Sequence, residues 1–232
     1  MKLRHSIPAL FILLNVFACR VDPPKKHPVT RYLPDYKNGI SLRLVGLSHS
    51  RDSLQLDTLE NGYDSLQIRI WTTYQRKDTF QIISLKRHNN QWAGEYCESS
   101  IHYSKQRDSV LKYDILKKAL FPKIGWQSLL DSLLKQDIKT LPDCTKLTNY
   151  ALPTDGANTV IIETSTIDRY RLYMYEVPTA NAVSFPEAAK VDRMLKLISS
   201  QFDVKFMDDF DNGPIIVMDV DLIDVKPGPG KK

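Results

Sequence analysis

Beyond its first eighteen residues the chain has no apolar run long enough to cross a bilayer as a helix, which needs roughly 20 residues. Cysteine is scarce, with only Cys19, Cys97 and Cys144. No two of them are spaced Cys-x-x-Cys, which excludes a zinc knuckle and a thioredoxin-type redox motif. A strong charge of one sign is missing as well. The 32 Lys and Arg stand against 27 Asp and Glu, too weak an excess to argue for nucleic acid. Sequence signatures of catalysis are also missing: no Gly-x-x-x-x-Gly-Lys-Ser/Thr, no Gly-x-Gly-x-x-Gly, no His-Glu-x-x-His and no Gly-x-Ser-x-Gly. His27, His49, His88 and His102 lack metal-ligand spacing, so no metal or other cofactor is expected. His49 lies between Ser48 and Ser50, but adjacent residues of a strand point to opposite faces, out of reach of one another.

The N-terminus is more informative. Lys2 and Arg4 form a basic start, and residues 7–18 form an apolar run broken only by Asn15. That is the length of a secretory signal's apolar region. Val16 stands three residues before Cys19 and Ala18 directly before it. This resembles the lipobox of bacterial lipoproteins, with Phe17 in a place where that motif prefers a smaller residue. The resemblance implies loss of 1–18 as a signal peptide and diacylglycerol on Cys19. It also implies attachment to a membrane of the bacterial cell envelope. Without Lys2 and Arg4, the 32 basic residues become 30 against the same 27 acidic ones. Residues 19–38 carry four prolines and many charges and read as an extended tether. If Cys19 carries lipid, Cys97 and Cys144 remain as an even pair in an oxidising compartment, and a disulfide is expected between them. The alternative is two separate buried thiols.

The rest reads as one α+β domain over 39–225, followed by a disordered tail at 226–232 rich in Pro, Gly and Lys. Strand-like alternation starts at Ile40 and recurs at 53–59, where Leu54 and Leu56 share a face. Glu60-Asn61-Gly62-Tyr63-Asp64 is a turn signal. Residues 65–74 alternate Leu66, Ile68 and Ile70 against Gln67 and Arg69. Residues 79–87 are another β-prone run, turned by His88-Asn89-Asn90 into 92–96, so 40–103 reads as an antiparallel meander. Residues 109–120 fit a strand or a helix, with strand preferred. Residues 126–136 place Trp126, Leu129, Leu130, Leu133 and Leu134 on one helical stripe. Asp155-Gly156 is a turn, and 159–164 with 170–177 reads as a hairpin ended by Pro178. Ser184-x-x-Glu187 has the capping-box pattern. The helix behind it aligns Ala188, Val191, Leu195, Ile198 and Phe202. A last β-prone run spans 215–225. The expected architecture is a mainly antiparallel sheet with two amphipathic helices packed on it.

Several of these features also resemble uncharacterised lipoproteins and secreted proteins of Bacteroidota. They are Gly125-Trp126 opening the leucine-striped helix that leads to Leu141-Pro142, then Asp155-Gly156, Ile162-Glu163, the run from Tyr170 to Tyr175, and Pro178 before a helix. The resemblance covers roughly residues 60–205. It implies no activity and no site residues.

The candidate site residues are few. Glu163 and Arg171 flank the turn at 165–169, where a symmetric register sets them opposite one another. They form either a plain cross-strand ion pair or, with Tyr173, a charged pair in a ligand cleft. Asp208, Asp209, Asp211, Asp219, Asp221 and Asp224 offer oxygens for calcium, but with Gly213 at the sixth position of an EF-hand frame, Phe210 falls on a ligand position. Tyr170, Tyr173 and Tyr175 with Trp71, Trp92 and Trp126 read as core aromatics or as a sugar-stacking platform. Two functions follow. The first is a lipid-anchored, non-enzymatic module that binds an envelope protein or polymer. The second is an enzyme that attacks cell-wall or glycan material through carboxylates such as Glu95 or Glu163.

Overall fold

The computed structural model describes residues 28–34, 47, 50–74, 79–106, 110–150 and 158–206. Cys19, the strand expected from Ile40, the Asp155-Gly156 turn, the acidic cluster at 208–224, the run at 215–225 and the tail lie outside these residues.

The alternating stretches become strands: β1 Thr30–Tyr32, β2 Leu66–Tyr74, β3 Thr79–His88, β4 Gln91–Tyr103, β5 Val110–Leu120, β6 Asn158–Ser165 and β7 Arg169–Glu176. They form one sheet in the order β1-β7-β6-β2-β3-β4-β5. Every pairing is antiparallel except β1 with β7, which is parallel. The fold is the α+β class with a mainly antiparallel sheet that the sequence implies. The meander is β2 to β5, and the later hairpin β6–β7 lies against β2, its first strand. Asn89 and Asn90 turn β3 into β4 with φ of 47° and 61°, the left-handed pair that a two-residue hairpin loop requires. Within the segment expected as a tether, Thr30–Tyr32 joins the sheet, with Thr30 opposite Arg169 and Tyr32 opposite Arg171.

One face carries Ile68, Ile70, Ile83, Leu85, Ile162, Tyr173 and Tyr175, all buried. Helix α1, Trp126–Leu134, packs there through Leu129, Leu130 and Leu133. Leu134, expected on the same stripe, is the last residue of α1 and is exposed, so the buried stripe ends at Leu133. Helix α3, Pro186–Phe202, buries Ala188, Val191, Leu195, Ile198 and Phe202 as its spacing requires, and Met194 with them. Its N-cap is Phe185, with no side-chain cap, instead of the expected Ser184. A residue before proline is pushed out of the helical region. Phe185 accordingly sits at φ −128° and ψ 113°, so the helix begins only at Pro186. A short helix α2, Pro178–Asn181, stands where the sequence marks only the end of the hairpin.

The other face carries Arg69, Trp71, Ile82, Cys97, Ile161 and Leu172. It is covered by residues 50–64, which differ from expectation. No strand forms at 53–59. Residues 50–53 are helical, with Leu54 N–H donating to Ser50 O at 3.0 Å and Leu56 N–H to Arg51 O at 3.0 Å. Gln55, at φ 55°, ends that turn. Leu54 and Leu59 are buried, so the leucines fill the core from an irregular cover. Gly62 is a turn residue as expected, at φ 86°. A Cβ there would meet Ile167 O at 2.9 Å, so the cover closes directly on the β6–β7 turn.

Gly94 is the closest approach on the helical face. A Cβ there would lie 2.7 Å from Trp126 Cη2 and 3.0 Å from Leu120 Cβ. Trp126 stacks on Trp92 with ring centroids 5.7 Å apart. Gly94→Ala displaces this stack and is expected to cost about 1–3 kcal/mol, the range for overpacking a core. Urea denaturation measures the loss, and near-ultraviolet circular dichroism registers the altered tryptophan pair.

Candidate functional site

Glu163 lies in β6 after the apolar run Val160-Ile161-Ile162, opposite Arg69 of β2 and Leu172 of β7. Its side chain is 1% exposed. Arg69 Nη1 stands 3.4 Å from Glu163 Oε2. Trp71 Nε1–H donates to the same oxygen at 2.6 Å, and Tyr170 Oη–H donates to Oε1 at 2.9 Å. Arg69 also reaches the cover, donating from Nη2 to Asp57 O at 3.0 Å. The cover is pinned further by Lys86 on Asp57 at 2.7 Å, by Ser165 on Leu59 O at 2.9 Å and by Arg31 of β1 on Glu60 O at 3.0 Å. Arg51, inside the cover, pairs with Glu60 at 2.5 Å. Gln67 and Arg69 Nε are buried beneath it with no hydrogen-bond partner among the described residues.

An ionised pair taken out of water loses several kcal/mol per ion unless other groups complete its hydrogen bonds. Trp71 and Tyr170 do that for Glu163. Burial, and then the Glu163 carboxylate, hold the Tyr170 hydroxyl well above the ordinary tyrosine range. The phenol therefore stays a donor.

Glu163 and Arg171 do not meet. The hairpin closes with Thr166 N–H donating to Arg169 O at 2.8 Å. This sets Thr164 against Arg171 and Glu163 against Leu172. One residue of register moves a side chain to the other face, so Arg171 and Tyr173 lie on the helical face. There Tyr173 donates to Ile138 O at 2.8 Å, Tyr175 to Pro142 O at 2.7 Å, and Arg171 to Thr140 O at 3.1 Å and Leu141 O at 2.5 Å. These contacts rivet residues 138–142 to β7. Tyr170, Tyr173, Tyr175 and Trp71 are all buried, and Trp92 and Trp126 stack on each other, so the six aromatics form no open sugar platform.

The two carboxylates named for a hydrolase are apart. Glu95, Ser84, Arg69 and Glu163 follow one another across β4, β3, β2 and β6. Three strand spacings separate the two glutamates, about 14 Å, beyond the roughly 5–10 Å of paired glycosidase carboxylates.

Cys97 and Cys144 are both buried, and no disulfide joins them. Cys97 lies on the covered face of β4. Cys144 opens a 3₁₀ turn, Cys144–Lys146, beside β7. The strands β6, β2 and β3 stand between β7 and β4, four spacings or about 19 Å, whereas a disulfide needs Cα atoms within roughly 7 Å. The expected crosslink is therefore not formed. Burial pushes the Cys97 thiol up to about 11. Among the described residues no cluster of three or more His, Cys, Asp or Glu could hold a metal, and no helix is long and apolar enough to cross a membrane.

Among the described residues, two open concavities lie at the β1–β7 edge. One, of about 180 Å³, is lined by Arg31, Tyr32, Lys146, Arg171 and Tyr173 among others. Another, of about 260 Å³, is lined by Lys139, Thr164, Thr166, Asp168 and Arg169. The guanidinium groups of Arg169 and Arg171 lie 5.9 and 5.7 Å from the Tyr32 ring. Asp143, the acidic side chain of the first concavity, is buried, with its carboxylate bonded to Thr145 N–H and Met174 N–H. Cations thus dominate this edge. Arg171 and Tyr173 were singled out from the sequence, but Tyr32, Lys146 and Arg169 were not, because a parallel strand supplied from 30–32 has no local signal. Arg69 does have one: it is a charge set between Ile68, Ile70 and Trp71.

Two outcomes test the Glu163 cluster. Glu163→Ala leaves Arg69 charged and buried and is expected to cost about 3–5 kcal/mol, while the double change Arg69→Met with Glu163→Leu restores most of it. Chemical denaturation of the three chains compares them. The second concerns pH. Burial raises the hydroxyls of Tyr170, Tyr173 and Tyr175 above the ordinary value. Below about pH 10 both folded and unfolded chains hold these protons. Above it the unfolded chain releases them first, so stability falls as pH rises, by up to about 1.4 kcal/mol per pH unit for each tyrosine. Denaturation midpoints taken through the alkaline range should drop, with tyrosinate absorbance rising only on unfolding.

Compared with known proteins, the chain matches no family model and no curated protein.

Proposed function

We infer that this chain is a non-enzymatic binding module, held at a membrane of the bacterial envelope by lipid on Cys19, and that it takes an anionic envelope polymer at the β1–β7 edge. The observation that carries this reading is the excess of cations around Tyr32. Arg169 and Arg171 lie against the ring, and Arg31, Lys139 and Lys146 line the same two concavities. The carboxylate cluster supports the same reading, because both oxygens of Glu163 are occupied and the side chain is sealed. The lipobox-like sequence at 16–19 supports the anchor, and so does the likeness to Bacteroidota lipoproteins. Thr30 stands eleven positions after Cys19, so the binding edge would lie at most about 40 Å from the lipid.

The test has two arms. Metabolic labelling with fatty acid should mark the protein and disappear in Cys19→Ala, with release from membranes. Retained label or retained membrane attachment in that variant rejects the anchor. For binding, labelled dextran sulfate should associate in a salt-sensitive manner and neutral dextran should not. The triple change Lys139→Ala, Lys146→Ala and Arg169→Ala should weaken dextran sulfate binding about tenfold or more. Equal binding by the variant, or by neutral dextran, overturns the polymer reading.

A further inference from the structure

We propose that β1 is a strap that docks reversibly on β7, and that its docking and the binding of an anionic polymer reinforce one another. The inference rests on the polymer reading and adds the regulation of that same site. β1 has three residues, all exposed. It stands at the end of the strand order against β7, in the one parallel pairing among the described residues. Parallel pairs are slightly weaker per residue than antiparallel ones. β2, by contrast, has nine residues and is paired on both sides.

The ties that hold β1 lie near solvent. Thr30 N–H donates to Asp168 O at 2.8 Å. Arg31 donates from Nε to Glu60 O at 3.0 Å and from Nη2 to Asn61 Oδ1 at 3.2 Å, both at exposed positions. Val29, just before the strand, is partly buried against the core beside Gly62. A segment with little buried apolar surface and exposed hydrogen bonds opens at a small fraction of the free energy of global unfolding. β1 therefore opens while the rest of the sheet stays folded.

The site is divided between this strap and the fixed sheet. Arg31, Tyr32, Leu33 and Pro34 form one wall of the concavity of about 180 Å³, and Lys146 and Arg171 stand on the other. The register sets Tyr32 beside Arg171. Its ring lies 5.7 Å from that guanidinium and 5.9 Å from the guanidinium of Arg169. Arg171 is held independently of β1, by Thr140 O and Leu141 O. Undocking thus removes one wall and the ring while the cations of β7 stay in place. An anionic polymer still meets charge on the open form, but it meets the shaped concavity only on the docked form. A ligand that binds one form better shifts the population toward it, and the coupling is reciprocal.

Amide hydrogen exchange of the full-length chain, resolved by residue, with and without dextran sulfate, tests this. Without ligand, the Thr30 amide should exchange at least about a hundredfold faster than the amides of β2 and β6. Dextran sulfate at about one hundred times its Kd should slow it about tenfold or more and leave β2 and β6 unchanged. Thr30→Pro removes that donor without altering charge. It should weaken dextran sulfate binding about fivefold or more, with β2 and β6 as protected as before. The comparison on the unaltered chain decides the matter even where that variant misfolds. A Thr30 amide as protected as those of β2 in the free chain overturns the strap. So does bound dextran sulfate that leaves Thr30 exchange unchanged, or a folded Thr30→Pro chain that binds as tightly as the unaltered one. No dextran sulfate binding to the unaltered chain is a different failure, which rejects the polymer reading and the coupling with it.

Discussion

The carboxylate of Glu163 is the constraint around which the sheet is assembled. It sits on β6, where the C-terminal hairpin meets the first strand of the meander, and its donors come from both sides of that seam. Arg69 and Trp71 belong to β2, and Tyr170 belongs to β7. A shift of one residue in the β2–β6 register would carry the carboxylate to the helical face and leave a guanidinium buried alone. The polar cluster therefore specifies alignment where a purely apolar strand pair would tolerate slippage. Arg69 extends the same specification upward, since its second nitrogen holds the backbone of the cover at Asp57.

The two faces use polar groups in the same manner with different partners. On the helical face, Arg171, Tyr173 and Tyr175 satisfy backbone carbonyls of 138–142, the segment that follows α1. On the covered face, Arg31, Arg69, Lys86 and Ser165 bind the backbone or side chains of 57–60. Each irregular segment is thus held by side chains projecting from regular strands. Among the described residues, the two open concavities lie instead at the β1–β7 margin of the sheet.

Much of the architecture was legible because periodicity and burial agree. Residues 66–74 and 79–88 alternate and are strands, and the stripes on 126–134 and 186–202 are helix faces packed on the sheet. What was not legible depended on long-range partners. Leu54 and Leu56 mimic a strand face, yet the segment is bound by side chains from five strands, β1, β2, β3, β5 and β6, that no local pattern reveals. The Glu163–Arg171 pairing failed by a single residue of register, decided by how the 166–169 turn closes. The capping box at Ser184 was overruled by Pro186, which forces the residue before it to be extended. The cysteine pairing relied on number and compartment, and the strand order put half the sheet between the two thiols.

The strand order has a kinetic consequence. The central pairing joins β2 to β6, and its defining contact, Arg69 with Glu163, spans 94 positions of sequence. The four-stranded meander is built from neighbours in the chain and can form early, but its first strand must wait with one side open until the hairpin arrives. Closing so large a loop carries an entropic cost before any contact rewards it. The sheet therefore completes late, after nearly all of the described chain is available, and a nascent polypeptide emerging N-terminus first would remain partly open until residue 170 or so had appeared.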